Sequence, residues 1–106
     1  VRSGKDVDKW KETGLTRGKA NALSYAPIIE ECPVNIECKV TEVKELGSHD
    51  MFIAEVLNVR ADDKFIDPET GQFSLSDANL IAYSHGFYYE LGQMIGRFGF
   101  SVQKKK

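Results

Sequence analysis

Two long runs of strand-like sequence, joined by a tight turn, constrain this chain more than anything else in it. Residues 34–46 alternate: Val34, Ile36, Cys38 and Val40 fall on one side, and Asn35, Glu37, Lys39 and Thr41 on the other. Val43 and Leu46 then break the phase once, which a bulge near Thr41–Glu42 accommodates. Gly47-Ser48 signals the turn, and residues 50–60 carry Met51, Ile53 and Leu57 on one face and Phe52, Ala54 and Val56 on the other. A strand that is apolar on both faces is expected to be covered on both, as in a barrel wall that also meets a partner.

Around this hairpin the sequence predicts smaller elements. Residues 6–13 read as a short helix with Asp6 as N-cap, and Val7 and Trp10 share a face. Gly14 sits at C′, and Leu15 packs back on Trp10 in a Schellman arrangement. Residues 16–26 show no period and read as a loop. Pro27 and Pro33 bracket a short extended crossing, Ile28–Cys32. Asp67-Pro68-Glu69-Thr70-Gly71 is a turn, and residues 79–83 read as the last strand. Leu91, Met94 and Ile95 have helical spacing, but Gly86, Gly92 and Gly96 keep any helix there short.

The expected class is therefore mainly antiparallel β with a short helix near each end, in one domain over residues 1–106. So few strands close a barrel poorly, so the edges need another chain or a further segment. The chain opens on Val1, and Val1–Asp6 is polar and reads like the interior of a longer polypeptide. Removal of an initiator Met is the alternative.

Composition excludes some functions. A net charge of −2 argues against a general nucleic-acid binder, and no apolar run is long enough for a membrane helix. Residues 1–19 nevertheless carry six Lys/Arg against three Asp/Glu, whereas residues 30–70 carry four against eleven. Cys32 and Cys38 lie six residues apart in extended chain. That span is roughly 20 Å, beyond disulfide reach. Two unbridged thiols suit a cytoplasmic location.

No complete catalytic constellation is visible. There is no nucleophile elbow, P-loop or dinucleotide fingerprint, and neither the histidines nor the cysteines have metal-ligand spacing. Asp62-Asp63 sits in a charged loop and reads as solvated. Arg2, Lys5, Lys9, Arg17 and Lys19 could meet a phosphate, with Ser3-Gly4 adding backbone donors; a solvated face is the commoner outcome. His49, just after the turn, is a candidate proton handler at a pocket rim, against the bland reading of an exposed histidine. Tyr83, Phe87, Tyr88, Tyr89, Phe98 and Phe100 could wall a flat ring, though such residues more often close a core or a dimer interface.

Four segments taken together resemble the flavin reductase-like family, including the flavoredoxins. They are Ser3–Thr16, Ala26–Val40, Leu46–Val56 and Tyr88–Gly92 with Ile95-Gly96 and Gly99–Ser101. The third looks like that family's Gly-x-His-x-x-Phe-x-x-Glu-Val hairpin. The resemblance implies an antiparallel split β-barrel, present here only as its later half, an FMN cofactor and a homodimer with flavin sites near the subunit interface. It implies electron passage from NAD(P)H or a protein donor through the flavin. A non-enzymatic FMN electron carrier and a cofactor-free dimerisation fragment are the alternatives. The cofactor-binding candidates are Ser3, Lys5, Trp10 and His49. His49 matches the hairpin histidine, linked in some reductases to the nicotinamide side, although position 48 is Ser where those reductases often carry Asp. In this family much of the FMN contact comes from the half that precedes the Ser-Gly-Lys-Asp segment, so these residues alone should bind FMN weakly or not at all.

Overall fold

The computed structural model describes residues 3–102. Its elements are helix α1 (Lys9–Thr13) and strands β1 (Arg17–Lys19), β2 (Pro27–Ile29), β3 (Val34–Glu45), β4 (Asp50–Ala61), β5 (Ile81–Ser84) and β6 (Phe87–Glu90), with three short 3-10 turns. Among the described residues the strands form three separate antiparallel ribbons, β1–β2, β3–β4 and β5–β6, and no closed barrel.

The β3–β4 ribbon is the frame, and its register explains its sequence. Val34 pairs with Ala61, Ile36 with Val59, Cys38 with Val56, Val40 with Ala54 and Val43 with Phe52. Opposed residues share a face. The register shifts twice, between Glu37 and Cys38 and between Val40 and Glu42. The second shift leaves Thr41 as the extra residue, the expected bulge, and its Oγ1 donates to the Ile53 carbonyl at 3.1 Å. The first leaves Leu57 extra on β4, a bulge that the run Val56-Leu57 conceals in the sequence. Each bulge restores the phase, so one face stays apolar from Val34 to Val43 and from Ala61 to Phe52.

The described residues do not cover that face, in keeping with the expectation that another chain or a further segment is needed to do so. Ile36, Val56 and Phe52 are 60, 56 and 64 % exposed. The buried apolar residues among those described are Ala20, Ile28 and Phe65. The accessible surface is 10086 Å² for 11.9 kDa, against about 6000 Å² for a folded monomer of that mass. The radius of gyration is 18.0 Å, against about 13 Å for a compact domain of this length.

Four local expectations are corrected. Asp8, not Asp6, caps α1: its carboxylate accepts from the N–H groups of Trp10 and Lys11 at 3.0 and 3.5 Å. Asp6 is taken up in a preceding turn, its N–H donating to the Ser3 carbonyl. The helix ends in the simpler αL cap, with Gly14 at φ 71° donating to the Trp10 carbonyl, while the Leu15 N–H turns to Thr13 Oγ1. Residues 16–26 are not all loop: Arg17–Lys19 pairs with Pro27–Ile29. A three-residue strand has no readable period, and Gly18 is required because a Cβ there would stand 2.7 Å from Cγ1 of buried Ile28.

The C-terminal helix is the fourth. Phe87–Glu90 is strand β6, hydrogen-bonded to β5 through a turn at His85-Gly86 with φ of 48° and 86°. The aromatic run favours the strand, and the spacing of Leu91, Met94 and Ile95 is incidental. Residues 92–96 are irregular, and the last element described is a 3-10 turn, Phe100–Val102. The Asp67 turn forms as expected: its carboxylate accepts from the N–H groups of Glu69 and Thr70, and Gly71 sits at φ 74°. No helix among the described residues is long and apolar enough to cross a membrane.

Candidate functional site

The best-organised polar site lies where the ribbon's other face meets the β1–β2 sheet. Glu37 projects there and is only 2 % exposed. Its carboxylate accepts from the Ala22 and Leu23 N–H groups at 2.7 and 3.3 Å and from Asn58 Nδ2 at 2.7 Å. Burial pushes this carboxyl up, but the hydrogen bonds from Asn58 and from the backbone of Ala22, Asn21 and Leu23 outweigh it and hold the group below its ordinary value. Two residues earlier on the same face, Asn35 accepts from the Ile29 N–H at 3.1 Å and donates to the Ile29 and Cys32 carbonyls, both at 3.2 Å. Arg60 Nη1 reaches the Lys19 carbonyl at 2.8 Å. Glu31 accepts from the Thr16 N–H and hydroxyl at 2.7 and 2.8 Å, and the backbone bond followed by the hydroxyl bond lowers its carboxyl. Glu37, Asn35 and Arg60 clamp the small sheet to the base of the ribbon, and Glu31 ties the two ends of that sheet to each other. The period-two pattern assigns Glu37 to a polar face but cannot show that a distant loop closes over it.

The cofactor candidates fall into two places. Ser3, Lys5 and Trp10 lie in the segment leading into β1. Ser3 Oγ accepts from the Lys5 N–H at 3.2 Å, both residues are exposed, and Trp10 is half-buried under the Arg17 guanidinium, 4.9 Å from the ring centroid. Arg17 is thus held by a ring rather than left free in a basic cluster. Arg2 lies outside the described residues. His49 stands in the β3–β4 turn, exposed, with Nδ1 2.9 Å from Ser48 Oγ, and the Leu46 N–H closes the turn on the His49 carbonyl at 2.9 Å. The strands separate this turn from the clamped base by about 35 Å. His49 thus stands at the opposite end of the ribbon from that base.

Among the described residues Tyr83, Phe87, Tyr88, Tyr89, Phe98 and Phe100 are all exposed and form no core. Tyr83 and Tyr88 pack edge to face across the β5–β6 hairpin, centroids 5.2 Å apart at 68°, yet both are largely exposed. A cleft beside that hairpin, lined by Asn79, Glu90, Leu91 and Met94, contains none of the cofactor candidates. Among the described residues no three His, Cys, Asp or Glu side chains group around a metal position, and Cys32 and Cys38 are free thiols.

The antiparallel ribbons, the bulged hairpin and its histidine define a class when set beside known proteins. The chain belongs to the family of flavin reductase-like domains, whose family model matches residues 1–91. Among particular relatives, the flavoredoxin of Desulfovibrio vulgaris (Miyazaki F) superposes with a TM-score of 0.81 at 24 % identity, over 97 % of this chain and 55 % of that one. At that identity the likeness shows the fold alone. A candidate flavin reductase with a split barrel domain from Shewanella frigidimarina NCIMB 400 superposes with a TM-score of 0.70 at 26 % identity, over 92 % of this chain and 50 % of its own. An uncharacterised protein of Archaeoglobus fulgidus is 35 % identical over 65 residues, 61 % of this chain and 36 % of that protein. The chain thus spans between about a third and about half the length of these relatives.

Proposed function

We propose that these residues are the later portion of a split-barrel flavoprotein that binds FMN without a covalent bond and passes electrons through it from NAD(P)H or a protein donor. The family match over residues 1–91 carries this reading. When bound, the flavin supplies the redox chemistry; the protein positions it and tunes it. On this reading Ser3, Lys5 and Trp10, before β1, and His49, at the ribbon's turn, serve flavin sites near the subunit interface that polypeptide outside these residues completes. The complete protein is a cytoplasmic homodimer.

One observation favours a second reading, a pure electron carrier: the neutral Ser48 hydroxyl, rather than a carboxylate, stands beside His49 Nδ1. The two readings separate in one assay on the complete polypeptide encoded by the reading frame that contains these residues. Steady-state oxidation of NADH or NADPH with FMN present identifies a reductase. Bound flavin that reduced pyridine nucleotide leaves oxidised identifies the carrier. A complete polypeptide that binds no flavin overturns both.

A further inference from the structure

We propose that Arg17, stacked on Trp10, anchors an oxyanion site that takes a terminal phosphate group, with Lys19 as its second cation. The assignment of that phosphate to a flavin or nicotinamide nucleotide rests on the flavoprotein reading above; the site itself rests on this chain's geometry.

The Arg17 guanidinium carbon stands 4.9 Å from the centroid of the Trp10 ring, and both ends of this stack are built on fixed backbone. Trp10 donates its N–H to the Asp8 carboxylate at 3.0 Å, and its carbonyl accepts from the Gly14 N–H at 3.1 Å. Arg17 opens β1 opposite Ile29. Thr16, just before it, is held by the Glu31 carboxylate, and the Thr16 carbonyl accepts from the Glu30 N–H at 3.0 Å. Lys19, two residues on, falls on the same side of the strand as Arg17, and the residues opposite, Ile29 and Pro27, carry no charge. The nearby carboxylates are engaged elsewhere. Asp8 caps α1, Glu31 serves Thr16, and Glu30 crosses Gly18 on the strand's other side. Among the described residues no carboxylate forms an ion pair with Arg17.

The ligand's chemistry follows from this arrangement. A guanidinium laid on an indole face keeps its planar fork of N–H donors at the edge of the stack, where it matches two oxygens of an oxyanion. A carboxylate is satisfied by that fork alone and leaves Lys19 unused. A terminal phosphate carries about two negative charges and three free oxygens, so two meet the fork and the third is left for the ammonium group. The stack also fixes the long arginine side chain before any ligand arrives, which lowers the entropy lost on binding. The basic residues of the first nineteen positions are thereby sorted: Arg17 is pre-set by Trp10, and Lys19 shares its side of β1. Both are exposed, so inorganic phosphate alone binds only in the millimolar range, on the order of 1 mM, and a nucleotide gains the rest of its affinity from its other groups.

Trp10 is the chain's one tryptophan, so its fluorescence reports the stack directly. Inorganic phosphate is titrated into the 106-residue chain at constant ionic strength, with chloride as the control, and Arg17→Gln and Arg17→Lys are compared with wild type. The expected result is a saturable change in Trp10 emission with phosphate and none with chloride. Arg17→Gln abolishes it, and Arg17→Lys weakens it at least about tenfold, because an ammonium group lacks the fork. In the complete polypeptide, FMN is compared with riboflavin, and NADPH with NADH; each pair differs by one terminal phosphate. Arg17→Gln weakens the phosphate-bearing member of one pair at least about tenfold and leaves its counterpart unchanged, and the affected pair names the source. A wild-type chain with no phosphate response overturns the proposal. So does an Arg17→Gln protein that binds all four ligands as wild type does, or that loses both members of a pair equally. A complete polypeptide that binds no flavin, while Trp10 still responds to phosphate through Arg17, sinks the flavoprotein reading and leaves this site standing.

Discussion

Replacing Glu37 by alanine lowers the melting midpoint of the chain by about 10 °C, the largest effect expected of any single polar substitution in it. The carboxylate serves two backbone N–H groups and the Asn58 amide at once, and it is almost fully shielded from water. Its removal leaves buried donors without acceptors, which costs more than the lost bonds themselves. Glu37→Gln retains one acceptor oxygen but turns an N–H₂ toward donors, so its midpoint falls between the two. Thermal denaturation followed by circular dichroism gives the ranking wild type, Gln, Ala; an alanine variant as stable as wild type contradicts the clamp. The pH dependence has a fixed sign. The carboxyl is depressed in the folded chain from its ordinary 4.5, so the stability it contributes is present above that pH and is lost as pH falls through the depressed value. Glu31 and Asp67 are lowered too, by the Thr16 backbone and by the Glu69 and Thr70 backbones respectively, and act in the same direction. Glu37→Gln therefore flattens the acid limb of the stability curve.

A charge placed on the ribbon's apolar face has opposite consequences in two settings. Val56 is more than half exposed in this chain, so Val56→Asp leaves the circular dichroism and melting midpoint of the 106 residues nearly unchanged. On the split-barrel reading the same carboxylate is buried without a partner in the complete polypeptide, at a cost on the order of 3–5 kcal/mol, a large part of a typical domain's stability. The expected outcome is a normal fragment and a complete polypeptide recovered insoluble or without flavin. A soluble, flavin-loaded Val56→Asp protein contradicts that burial.

Periodicity made the β3–β4 ribbon legible, including the bulge at Thr41, because the jump from Val40 to Val43 breaks a two-residue period that nothing else explains. The bulge at Leu57 was hidden because its neighbours are apolar in either phase. β1 and β2 are set by pairing with each other rather than by pattern, and Gly18 betrays them only once Ile28 is known to lie opposite. β6 was masked by glycines that serve a positive-φ turn at Gly86 rather than breaking a helix. The position of His49 could be read from the turn before it. Its distance from the Glu37 clamp could not, because it depends on how a ribbon twelve residues long is hung from a clamp formed by distant residues.

The central claim is that these residues take up flavin only as part of a completed barrel. Titration of FMN fluorescence, run in parallel with the 106-residue chain and with the complete polypeptide, tests it most directly. The account predicts saturable stoichiometric quenching by the complete polypeptide and an affinity for the 106-residue chain weaker by at least about a hundredfold, a difference of about 2.7 kcal/mol. Tight one-to-one FMN binding by the 106-residue chain alone would contradict it.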